Sequence, residues 1–436
     1  MPAAASTDYV DSYYARSLAD NLKRPALEGD VEAEVCVVGG GMAGLATALG
    51  LAERGSKVVL LESRRVGWGA SGRNGGFVSH GFACGLEALL RRVGPDRTRE
   101  FYRLSDASVD LIRKRIGQYD IDCGPITDGL ANCSWFDDVD AVKRRIEKAN
   151  TLVDAGLDFW PREKVRELWH SRRYFDAAFK TKGFSFHSLN FTRGIARAAE
   201  SLGARIFEDT AVLRTDLGRD RKRLETSHGT VTADQVVFCC SGYIDGLVAP
   251  LARATLPIGT YVLLTEPLSE NKLKTAINAP FGVSDDRFAT DYYRPLSDGR
   301  ILWGGRISRW TDPSNLHALM LGDLLSVYPQ LADVKAEVAW PGTMGYATHK
   351  MPQIGRLQPG VWYNQGHGGH GMASTTLGGE LVASAIAEGD EHYRLFEPFG
   401  LNWAGGRLGT WVAQAVYWKY EMTDAWNLWR QGLKQA

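Results

Sequence analysis

Apolar runs and turns alternate near the start of the chain in the pattern of parallel strands joined by a helix. Residues 34–39 and 57–62 are dominated by continuous apolar runs of the kind that buried parallel strands show. Between them, apolar residues recur at helical spacing from Met42 to Leu49, and Gly55 follows at a position suited to a helix C-cap. Together these segments predict one βαβ unit of about 30 residues.

The rest of the chain predicts further strands and helices, without an internal repeat or a low-complexity segment. Strands that run into glycine-containing turns are expected at 235–242 and 361–364, as in the first unit. Short strands are expected between residues 204 and 242 and again between 255 and 310. Helical segments are expected over residues 94–120, 138–170, 316–332 and 376–387.

Length and composition favour a globular protein of two domains. A chain of 436 residues is too long for one ordinary compact core, and its 44% hydrophobic and 23% charged residues are typical globular values. Basic and acidic residues number 51 each, a neutral balance that argues against nucleic-acid binding. Glycine accounts for 48 of 436 residues, about 11% against roughly 7% on average, which predicts loops where the backbone closely approaches a ligand.

The cysteines suggest neither a zinc site nor a redox dithiol, because no two of them have CxxC spacing. Cys36, Cys239 and Cys240 lie in apolar runs, where cysteine is usually a small buried hydrophobe, so a reducing, cytoplasmic compartment is the simplest interpretation. The N-terminus lacks an apolar segment after a basic start, and no run of about 18 apolar residues occurs. Neither a signal peptide, a membrane span nor a metal site is therefore expected.

The first glycine motif, Gly39-x-Gly41-x-x-Gly44, lies between a buried strand and a helix, which is the context that a dinucleotide-binding loop requires. Its glycines permit a tight turn, close approach of a pyrophosphate, and packing of helix against strand. The helix N-terminus offers amide groups to the phosphates. Glu62 lies 23 residues after Gly39, where a carboxylate accepts hydrogen bonds from a ribose and disfavours a 2′-phosphate. The carboxylate therefore argues against NADP as the ligand, and NAD and FAD remain.

A second glycine-rich loop, residues 67–76, directly follows the strand that ends at Glu62. An NAD-dependent dehydrogenase has no use for such a loop at this place. A flavoprotein does, because the chain must run past the pyrophosphate and the edge of the flavin. The two loops together predict FAD as the cofactor.

These segments resemble the D-amino-acid-oxidase-like FAD oxidoreductases, a family that includes sarcosine and glycine oxidases, and especially its bacterial branch that oxidises γ-glutamylputrescine. The resemblance implies an α/β fold of the glutathione-reductase-like type, with a Rossmann-type FAD-binding domain interleaved with an α+β substrate domain on an antiparallel sheet. The matching segments, in family order, are 11–14, 37–62, 69–76, 291–294, 351–356 and 369–371. The implied division is an N-terminal arm (1–30), an FAD domain (31–93, 185–250 and 345–395), a substrate domain (94–184 and 251–344) and a tryptophan-rich C-terminal segment (396–436).

The resemblance also implies which residues contact FAD. The segment around Ser71 would meet the pyrophosphate, residues 73–76 would pass the isoalloxazine, and Val212 would contact the adenine side. The loop 366–372 would lie by the flavin pyrimidine, where backbone amides stabilise the negative charge that develops on reduction. The expected contacts are Gly39, Gly41, Met42, Ala43, Gly44, Glu62, Ser63, Arg64, Gly69, Ala70, Ser71, Arg73, Asn74, Gly75, Gly76, Val212, Ser241, Gly242, Gly368, Gly369, His370, Gly371 and Met372.

An amine oxidation needs the C–H bond beside nitrogen directed at flavin N5 for hydride transfer, with the nitrogen unprotonated. A free amine has a pKa near 10, so the pocket must desolvate it or supply a base. The resemblance places His367 and His370 at the flavin as candidate bases, and bracing of the loop by the two imidazoles is the favoured alternative. Tyr293 is the third candidate catalytic residue. Other candidates are Tyr292 and Trp340, for the cavity wall or equally for the core, and His80 as a weaker base.

Three positions depart from the pattern of the amino-acid-oxidising relatives. Sarcosine oxidases attach their flavin through a cysteine that precedes a strand like 351–356, but residues 340–346 contain no cysteine, so non-covalent FAD is expected. Those oxidases also carry a lysine that promotes reaction with oxygen, and Trp303 is expected at its place, which predicts slow reoxidation. Their carboxylate-binding lysine corresponds to Ala373, so no cation is expected beside the flavin unless Arg294 replaces it.

The resemblance therefore implies an FAD-dependent oxidase of a primary or secondary amine of the γ-glutamylputrescine type. The products would be an imine and then an aldehyde, with hydrogen peroxide if molecular oxygen, rather than another acceptor, takes the electrons. One alternative is an oxidase or dehydrogenase of a small amino or imino acid such as sarcosine, proline or pipecolate. A remote alternative is a non-enzymatic flavin-binding regulator, and the oligomeric state is open.

The C-terminal segment contains five closely spaced tryptophans. A stripe packed against the body of the protein is favoured for them over a membrane-facing patch, because large aromatic residues usually belong to cores. The residues are Trp403, Trp411, Trp418, Trp426 and Trp429.

Overall fold

The computed structural model describes residues 8–288, 290–310 and 312–430. The first residues of the expected N-terminal arm, 1–7, and the last of the tryptophan-rich segment, 431–436, lie outside the described residues. The strands are β1 (Val31–Val38), β2 (Val58–Leu61), β3 (Phe77–Val78), β4 (Thr127–Cys133), β5 (Leu157–Trp160), β6 (Ala177–Ser185), β7 (Arg205–Phe207), β8 (Arg214–Asp216), β9 (Lys222–Glu225), β10 (Thr230–Phe238), β11 (Leu256–Thr265), β12 (Gly282–Asp285), β13 (Tyr292–Pro295), β14 (Ile301–Ser308), β15 (Ala336–Tyr346), β16 (Gln353–Gln358) and β17 (Val361–Gln365).

The helices lie between and around these strands, and α3 is kinked at Gly94. They are α1 (Tyr13–Arg16), α2 (Met42–Ala52), α3 (Leu86–Gln118), α4 (Val139–Val153), α5 (Arg162–Leu168), α6 (Ser188–Ser201), α7 (Ala249–Arg253), α8 (Glu270–Lys274), α9 (Leu316–Val327), α10 (Gly371–Ala387) and α11 (Gly406–Arg430).

The first sheet, called the nucleotide sheet here, has the strand order β16-β17-β10-β1-β2-β7, and the hairpin β8–β9 pairs with β10. Its strands β17, β10, β1, β2 and β7 are parallel neighbours. Apolar side chains cover both faces of β1, because Val35 and Val37 pack in one core cluster while Cys36 and Val38 pack in another. This two-sided burial explains why β1 is a continuous apolar run rather than an alternating one. The predicted βαβ unit is confirmed as β1, α2 and β2.

The second sheet has the order β15-β11-β14-β13-β12-β4-β6-β3, with β5 on β6. Its pairs are antiparallel except for β12 and β4, which run parallel. The two sheets come from interleaved stretches of the chain, as expected for a discontinuous Rossmann-type domain joined to an antiparallel substrate domain.

Two expected elements differ in extent or partner. The helix expected over 94–120 begins at Leu86, and its Phe101 and Ile112 pack in the same core cluster as α2 and α10. The boundary expected at residue 94 therefore falls inside a helix that packs beside the nucleotide sheet. The helical stretch expected over 138–170 is interrupted by β5, and Asp154 adopts a left-handed conformation where α4 ends.

The C-terminal tryptophans contradict the expectation of a packed stripe. All five are exposed, from 44% for Trp418 to 69% for Trp403. The side of α11 that meets the body carries smaller or polar residues instead, including the buried Gly409, Gln414 and Asp424. Within the described part of the chain, no helix combines the length and apolar character needed to span a bilayer.

Candidate active site

The first glycine loop joins β1 to α2, and its conformation leaves no room for a side chain at two of its glycines. Gly39 has φ of +109°, and a Cβ on Gly44 would lie 1.9 Å from the Gly39 carbonyl oxygen. These contacts force glycine at both positions and hold the N-terminus of α2 against the end of β1. The amide of Met42 donates to Ser71 Oγ (2.9 Å), which ties this loop to the second one. The helix dipole of α2 makes this end favourable for an anion.

Glu62 follows β2, and backbone amides of both neighbouring loops hold its carboxylate. Oε2 accepts from the Gly40 amide (2.6 Å) and Oε1 from the Arg64 amide (2.9 Å). Burial raises the pKa of this carboxyl, while the two hydrogen bonds from backbone amides oppose that shift. The carboxylate is therefore fixed at the edge of the nucleotide sheet, where the sequence places a ribose-binding acid.

The second loop is rigid because its own polar side chains bridge it. Asn74 Nδ2 donates to the carbonyls of Ala70 (3.0 Å) and Ser71 (2.9 Å), and its Oδ1 accepts from the Gly76 amide (2.7 Å). Arg73 Nε donates to the Trp68 carbonyl (2.7 Å), and the guanidinium lies 4.0 Å from the centre of the Trp68 ring. The loop is therefore built to hold one shape against a ligand.

The third loop, between β17 and α10, orients two histidines differently. Ser374 Oγ donates to the His370 carbonyl (2.8 Å), so it accepts from His367 Nδ1–H (3.0 Å). This assigns the proton of His367 to Nδ1 and leaves Nε2 as a lone-pair acceptor with no hydrogen-bond partner among the described residues. Burial lowers the pKa of His367 to about 3, so the ring is neutral.

His370 uses its ring to brace the loop. Its Nε2 lies 3.1 Å from the His80 carbonyl and 3.2 Å from the Ser79 carbonyl, and these oxygens can only accept, so Nε2 carries the proton. Burial lowers the pKa of His370 to about 4. This arrangement favours the bracing alternative for His370.

The three loops meet the second sheet around one cavity of about 1430 Å³. Most of the expected cofactor residues line it. Gly44, Gly76 and Gly242 do not, because their role is to let backbone segments pack. The expected residues on the cavity wall are Gly39, Gly41, Met42, Ala43, Glu62, Ser63, Arg64, Gly69, Ala70, Ser71, Arg73, Asn74, Gly75, Val212, Ser241, His367, Gly368, Gly369, His370, Gly371 and Met372.

Tyr293 does not reach this cavity, so its expected catalytic role is not supported by its position. Side chains alternate along β13, which turns Tyr292 toward the cavity and Tyr293 into the opposite core. The Tyr293 ring stacks on Trp303 at 4.5 Å between centres, and its hydroxyl bonds that of Tyr328 (2.5 Å). The same observation removes Trp303 from the flavin, and with it the expected explanation for slow reaction with oxygen. Gly304 faces the cavity at that place, under the ring of Tyr292.

Three other candidates support the loops instead of lining the cavity. Arg294 donates to the carbonyls of Gly75 (3.1 Å) and Phe186 (2.8 Å), so its guanidinium is engaged beneath the second loop. Trp340 Nε1 donates to the Arg73 carbonyl (2.9 Å). His80 is buried, and burial lowers its pKa to about 3.

Sequence reasoning missed the cavity residues Lys180, Asn132 and Ser284, which project from the second sheet. Asn132 lies on a strand whose alternate residues are buried. Alternation identifies two faces of a strand, but it does not say whether the polar face meets water or a ligand cavity. Their sequence context therefore contained no usable signal.

The residues of this cavity fit FAD. The glycine cradle at Gly39 and Gly41, together with the N-terminus of α2, would hold the pyrophosphate, and Glu62 the ribose. Two buried polar atoms without a partner in the described protein, Arg73 Nη2 and His367 Nε2, offer a donor and an acceptor to a polar ligand.

Known proteins are similar in sequence to this chain. Residues 34–385 match the DAO family, described as FAD dependent oxidoreductase. The chain is 33% identical over 392 residues to the gamma-glutamylputrescine oxidoreductase of Escherichia coli, covering 89% of this chain and 92% of that protein. It is also 33% identical over 413 residues to the probable oxidoreductase OrdL of Haemophilus influenzae, covering 93% and 94%.

A solved structure shows the same fold at lower sequence identity. Glycine oxidase from Geobacillus kaustophilus superposes with a TM-score of 0.71 at 20% identity, covering 85% of this chain and 98% of that one. The family match spans most of the chain and includes all three glycine loops. By its sequence, its fold and the site that the three loops build, this chain belongs to the DAO family of FAD-dependent oxidoreductases.

Proposed function

We propose that this chain oxidises a primary or secondary amine whose acidic group, where there is one, lies far from the oxidised carbon. The observation that carries the proposal is the start of α10, directly after the third loop, which contains no cation to pair with a carboxylate beside the reacting carbon. Residues 372–375 are Met-Ala-Ser-Thr, and Arg294 is engaged by backbone carbonyls. A desolvated carboxylate without a charged partner is costly, so an α-amino acid would bind poorly.

Amines of the γ-glutamylputrescine type are the leading substrate class in this proposal. They meet the charge requirement, and one relative at 33% identity is named a gamma-glutamylputrescine oxidoreductase. When bound, FAD supplies the two-electron acceptor for hydride from the carbon beside nitrogen, which yields an imine and then, with water, an aldehyde. Molecular oxygen is the proposed final acceptor, with hydrogen peroxide as its product.

The residues of the cavity bind the amine in its neutral form, and none of them removes a proton from the ammonium form. Moving a proton from an ammonium with a pKa near 10 to His367, with a pKa of about 3, would cost on the order of 10 kcal/mol. His367 is therefore too weak a base for that step, and its Nε2 serves as a hydrogen-bond acceptor. Tyr292 and the apolar cavity wall exclude water and favour the uncharged nitrogen.

An anaerobic screen tests this function. Purified holoenzyme is mixed without oxygen with γ-glutamylputrescine, sarcosine, proline, pipecolate or glycine, and flavin bleaching is followed by absorbance. We expect kcat/KM for γ-glutamylputrescine to exceed that for each α-carboxylated compound at least about tenfold, equivalent to about 1.4 kcal/mol. A higher value for any of the α-carboxylated compounds would contradict the proposal and favour the amino- or imino-acid alternative. No bleaching by any substrate would favour the flavin-binding regulator.

A further inference from the structure

Three polar side chains lie together on the cavity side of the second sheet, and the expected FAD contacts do not include them. Asn132 on β4 pairs with Ser284 on β12, and Leu130 on β4 pairs with Lys180 on β6. Directly paired residues project from the same face of a sheet, as do residues two apart on one strand. Lys180, Asn132 and Ser284 therefore share one face, and all three line the cavity.

Lys180 is a cation without an acidic partner. Its Nζ donates to the His80 carbonyl (3.3 Å), and no carboxylate of the described residues lies within ion-pair distance of it. Asp106, the acid whose charge acts on Lys180, pairs directly with the neighbouring Lys182 (2.6 Å). Desolvation lowers the pKa of Lys180 to about 8, which shows how poorly the protein alone compensates this charge. An anionic ligand would supply the missing partner.

Asn132 and Ser284 define what the rest of that ligand can be. The Asn132 amide hydrogens are committed to Ser284 Oγ (3.1 Å) and the Asp285 carbonyl (3.0 Å). Asn132 can therefore offer only its Oδ1, as an acceptor, while Ser284 keeps its hydroxyl hydrogen available as a donor. A cation, a neutral donor and an acceptor side by side complement a carboxylate next to an ammonium group.

We propose that Lys180, Asn132 and Ser284 form a subsite for the α-amino-acid head group of a γ-glutamyl amine. Lys180 and Ser284 bind its carboxylate, and Asn132 accepts a hydrogen bond from its ammonium group. The subsite makes γ-glutamyl amines better substrates than amines of similar length with a neutral end. This inference rests on the proposed amine oxidation and names the substrate feature that the enzyme recognises.

The test compares two amines that share the reacting end. γ-Glutamylputrescine carries the head group, and N-acetylputrescine has the same amine and amide without it. Lys180→Met should lower kcat/KM for γ-glutamylputrescine at least about 30-fold, as expected when one partner of a desolvated charge pair is removed. It should change kcat/KM for N-acetylputrescine less than about threefold. Lys182→Met is the matched control, since Lys182 lies on the same strand in an exposed ion pair, and should change both values less than about threefold.

Two further measurements separate recognition from a structural effect. The Kd of γ-glutamylbutylamide, which lacks the reacting amine, is measured by the change it causes in flavin absorbance. It should rise by the same factor in Lys180→Met and stay within about tenfold of wild type in Lys180→Arg, which keeps the charge. In wild type, kcat/KM for γ-glutamylputrescine should rise with pH and level off above about pH 8, where free Lys180 loses its proton. For N-acetylputrescine the rise should continue toward the amine pKa, near 10.

The subsite is refuted if Lys180→Met affects both amines equally, or if the Kd of γ-glutamylbutylamide does not change. In either case oxidation of both amines would still support the proposed function. If neither amine reduces the flavin but sarcosine or proline does, the proposed function itself fails. A variant that loses bound FAD is replaced by Lys180→Gln, judged by the same comparison.

A second inference comes from helix α11, which lies beyond the family match at residues 34–385. Its inner side is anchored to the body, for example by Gln414 Oε1, which accepts from the Arg309 amide (3.0 Å). Its outer side is almost entirely apolar, and the described residues cover it only in part, where Trp310 and Arg309 contact Trp411. The large side chains there are 40% to 72% exposed, and they are Leu408, Trp411, Val412, Val416, Trp418, Met422, Trp426 and Trp429.

The charges on this helix indicate what it contacts. Of its charged residues, Arg407, Lys419 and Arg430 are exposed, Glu421 is half-buried and Asp424 is buried. The exposed charges are therefore all basic, and pairing this face with a second copy of itself would bring like charges together. Tryptophan with arginine and lysine is instead the composition of helices that lie at the surface of anionic membranes. We infer that the outer side of α11 binds an anionic lipid surface without crossing it.

Sedimentation with vesicles tests this contact. Holoenzyme should sediment with phosphatidylcholine vesicles that contain phosphatidylglycerol, less with phosphatidylcholine alone, and less at high salt. The double variant Trp418→Ser/Trp426→Ser should reduce the bound fraction, and Lys419→Glu should weaken binding to anionic vesicles. Leu213→Ser, at a 60% exposed position outside α11, is the control and should leave the bound fraction unchanged. The inference is refuted if the enzyme does not bind the vesicles, or if the α11 variants bind them as well as wild type does. It is also refuted if analytical ultracentrifugation shows a dimer that dissociates only in the α11 variants.

Discussion

At the scale of single residues, Glu62 links the two glycine loops of the nucleotide site. Its carboxylate accepts hydrogen bonds from the backbone amides of Gly40 in the first loop and of Arg64 just before the second. These bonds position the acid before any ligand arrives, so little conformational entropy remains to be lost when a ribose binds.

We expect Glu62→Ala to bind FAD weakly and to purify mostly colourless. Charge-assisted hydrogen bonds contribute about 1.5–3 kcal/mol each, so losing one should raise the Kd of FAD by roughly 10- to 150-fold. Titration of apoprotein with FAD, followed by flavin fluorescence, measures this. Glu34→Ala is a matched control, because Glu34 also accepts a backbone amide (Lys57, 2.9 Å) but lies outside the cavity. Unchanged affinity in Glu62→Ala would contradict the assignment.

The two histidines of the third loop make a prediction about pH. Burial lowers the pKa of His367 to about 3 and that of His370 to about 4, so both rings are neutral from pH 5 upward. For a neutral-ended amine such as N-acetylputrescine, log kcat/KM should therefore rise with unit slope between about pH 6 and 9, following the neutral amine. A break near pH 6.5 that disappears in His367→Asn would show instead that His367 titrates during catalysis.

At the scale of elements, strand alternation decides which aromatic residues belong to the site. Tyr292 faces the cavity while Tyr293 is buried in the opposite core, and Trp303 pairs with Tyr293 across β13 and β14. Gly304, one residue later, lies on the cavity face. A shift of one residue in the alignment of this strand exchanges a core position for a site position.

Trp303→Lys should therefore destabilise the protein without a specific effect on flavin reoxidation. The change buries an ammonium group in an apolar core and removes a stacked indole, for which losses of about 3–5 kcal/mol are usual. Thermal denaturation followed by circular dichroism should show a midpoint several degrees lower, whereas Trp403→Lys, at a 69% exposed position, should change it little. If the variant were stable and its flavin were reoxidised faster by oxygen in stopped-flow mixing, Trp303 would have to lie beside the flavin.

At the scale of the whole molecule, the cavity lies where the two sheets meet. The cysteine thiols on its wall are poor nucleophiles. Cys239 and Cys240 line the cavity, and burial raises the pKa of Cys240 to about 12 and that of Cys239 further. A thiol attacks as its thiolate, so neither is suited to forming a bond with the flavin.

We predict that FAD is bound non-covalently. Residues 340–356 contain no cysteine, and the cavity thiols are held protonated. Acid precipitation should leave the yellow colour in the supernatant, and mass spectrometry should find the unmodified mass of the chain. A peptide that carries the flavin would contradict this, and His367 or His370 would then be the first residues to examine.

The glycine loops and Glu62 were predictable because local geometry determines them. A glycine is required where a Cβ would meet the backbone, as at Gly44, and a strand that leads into such a turn identifies the loop from the sequence. The βαβ unit and the FAD site follow from residues that are close in sequence. The third loop, some 300 residues later, was also predicted from the sequence as a strand running into glycines, and the family resemblance added its place beside the flavin.

The wall facing these loops was decided by tertiary structure alone. Lys180, Asn132 and Ser284 come from three strands that meet only through the register of the second sheet, and Tyr293 and Trp303 are excluded by that same register. The exposed tryptophans of α11 make the same point, since their composition suggests a core and their exposure depends on which side of the helix meets the body. Apolar spacing within a segment determines its secondary structure, but which face is covered depends on contacts between segments distant in sequence.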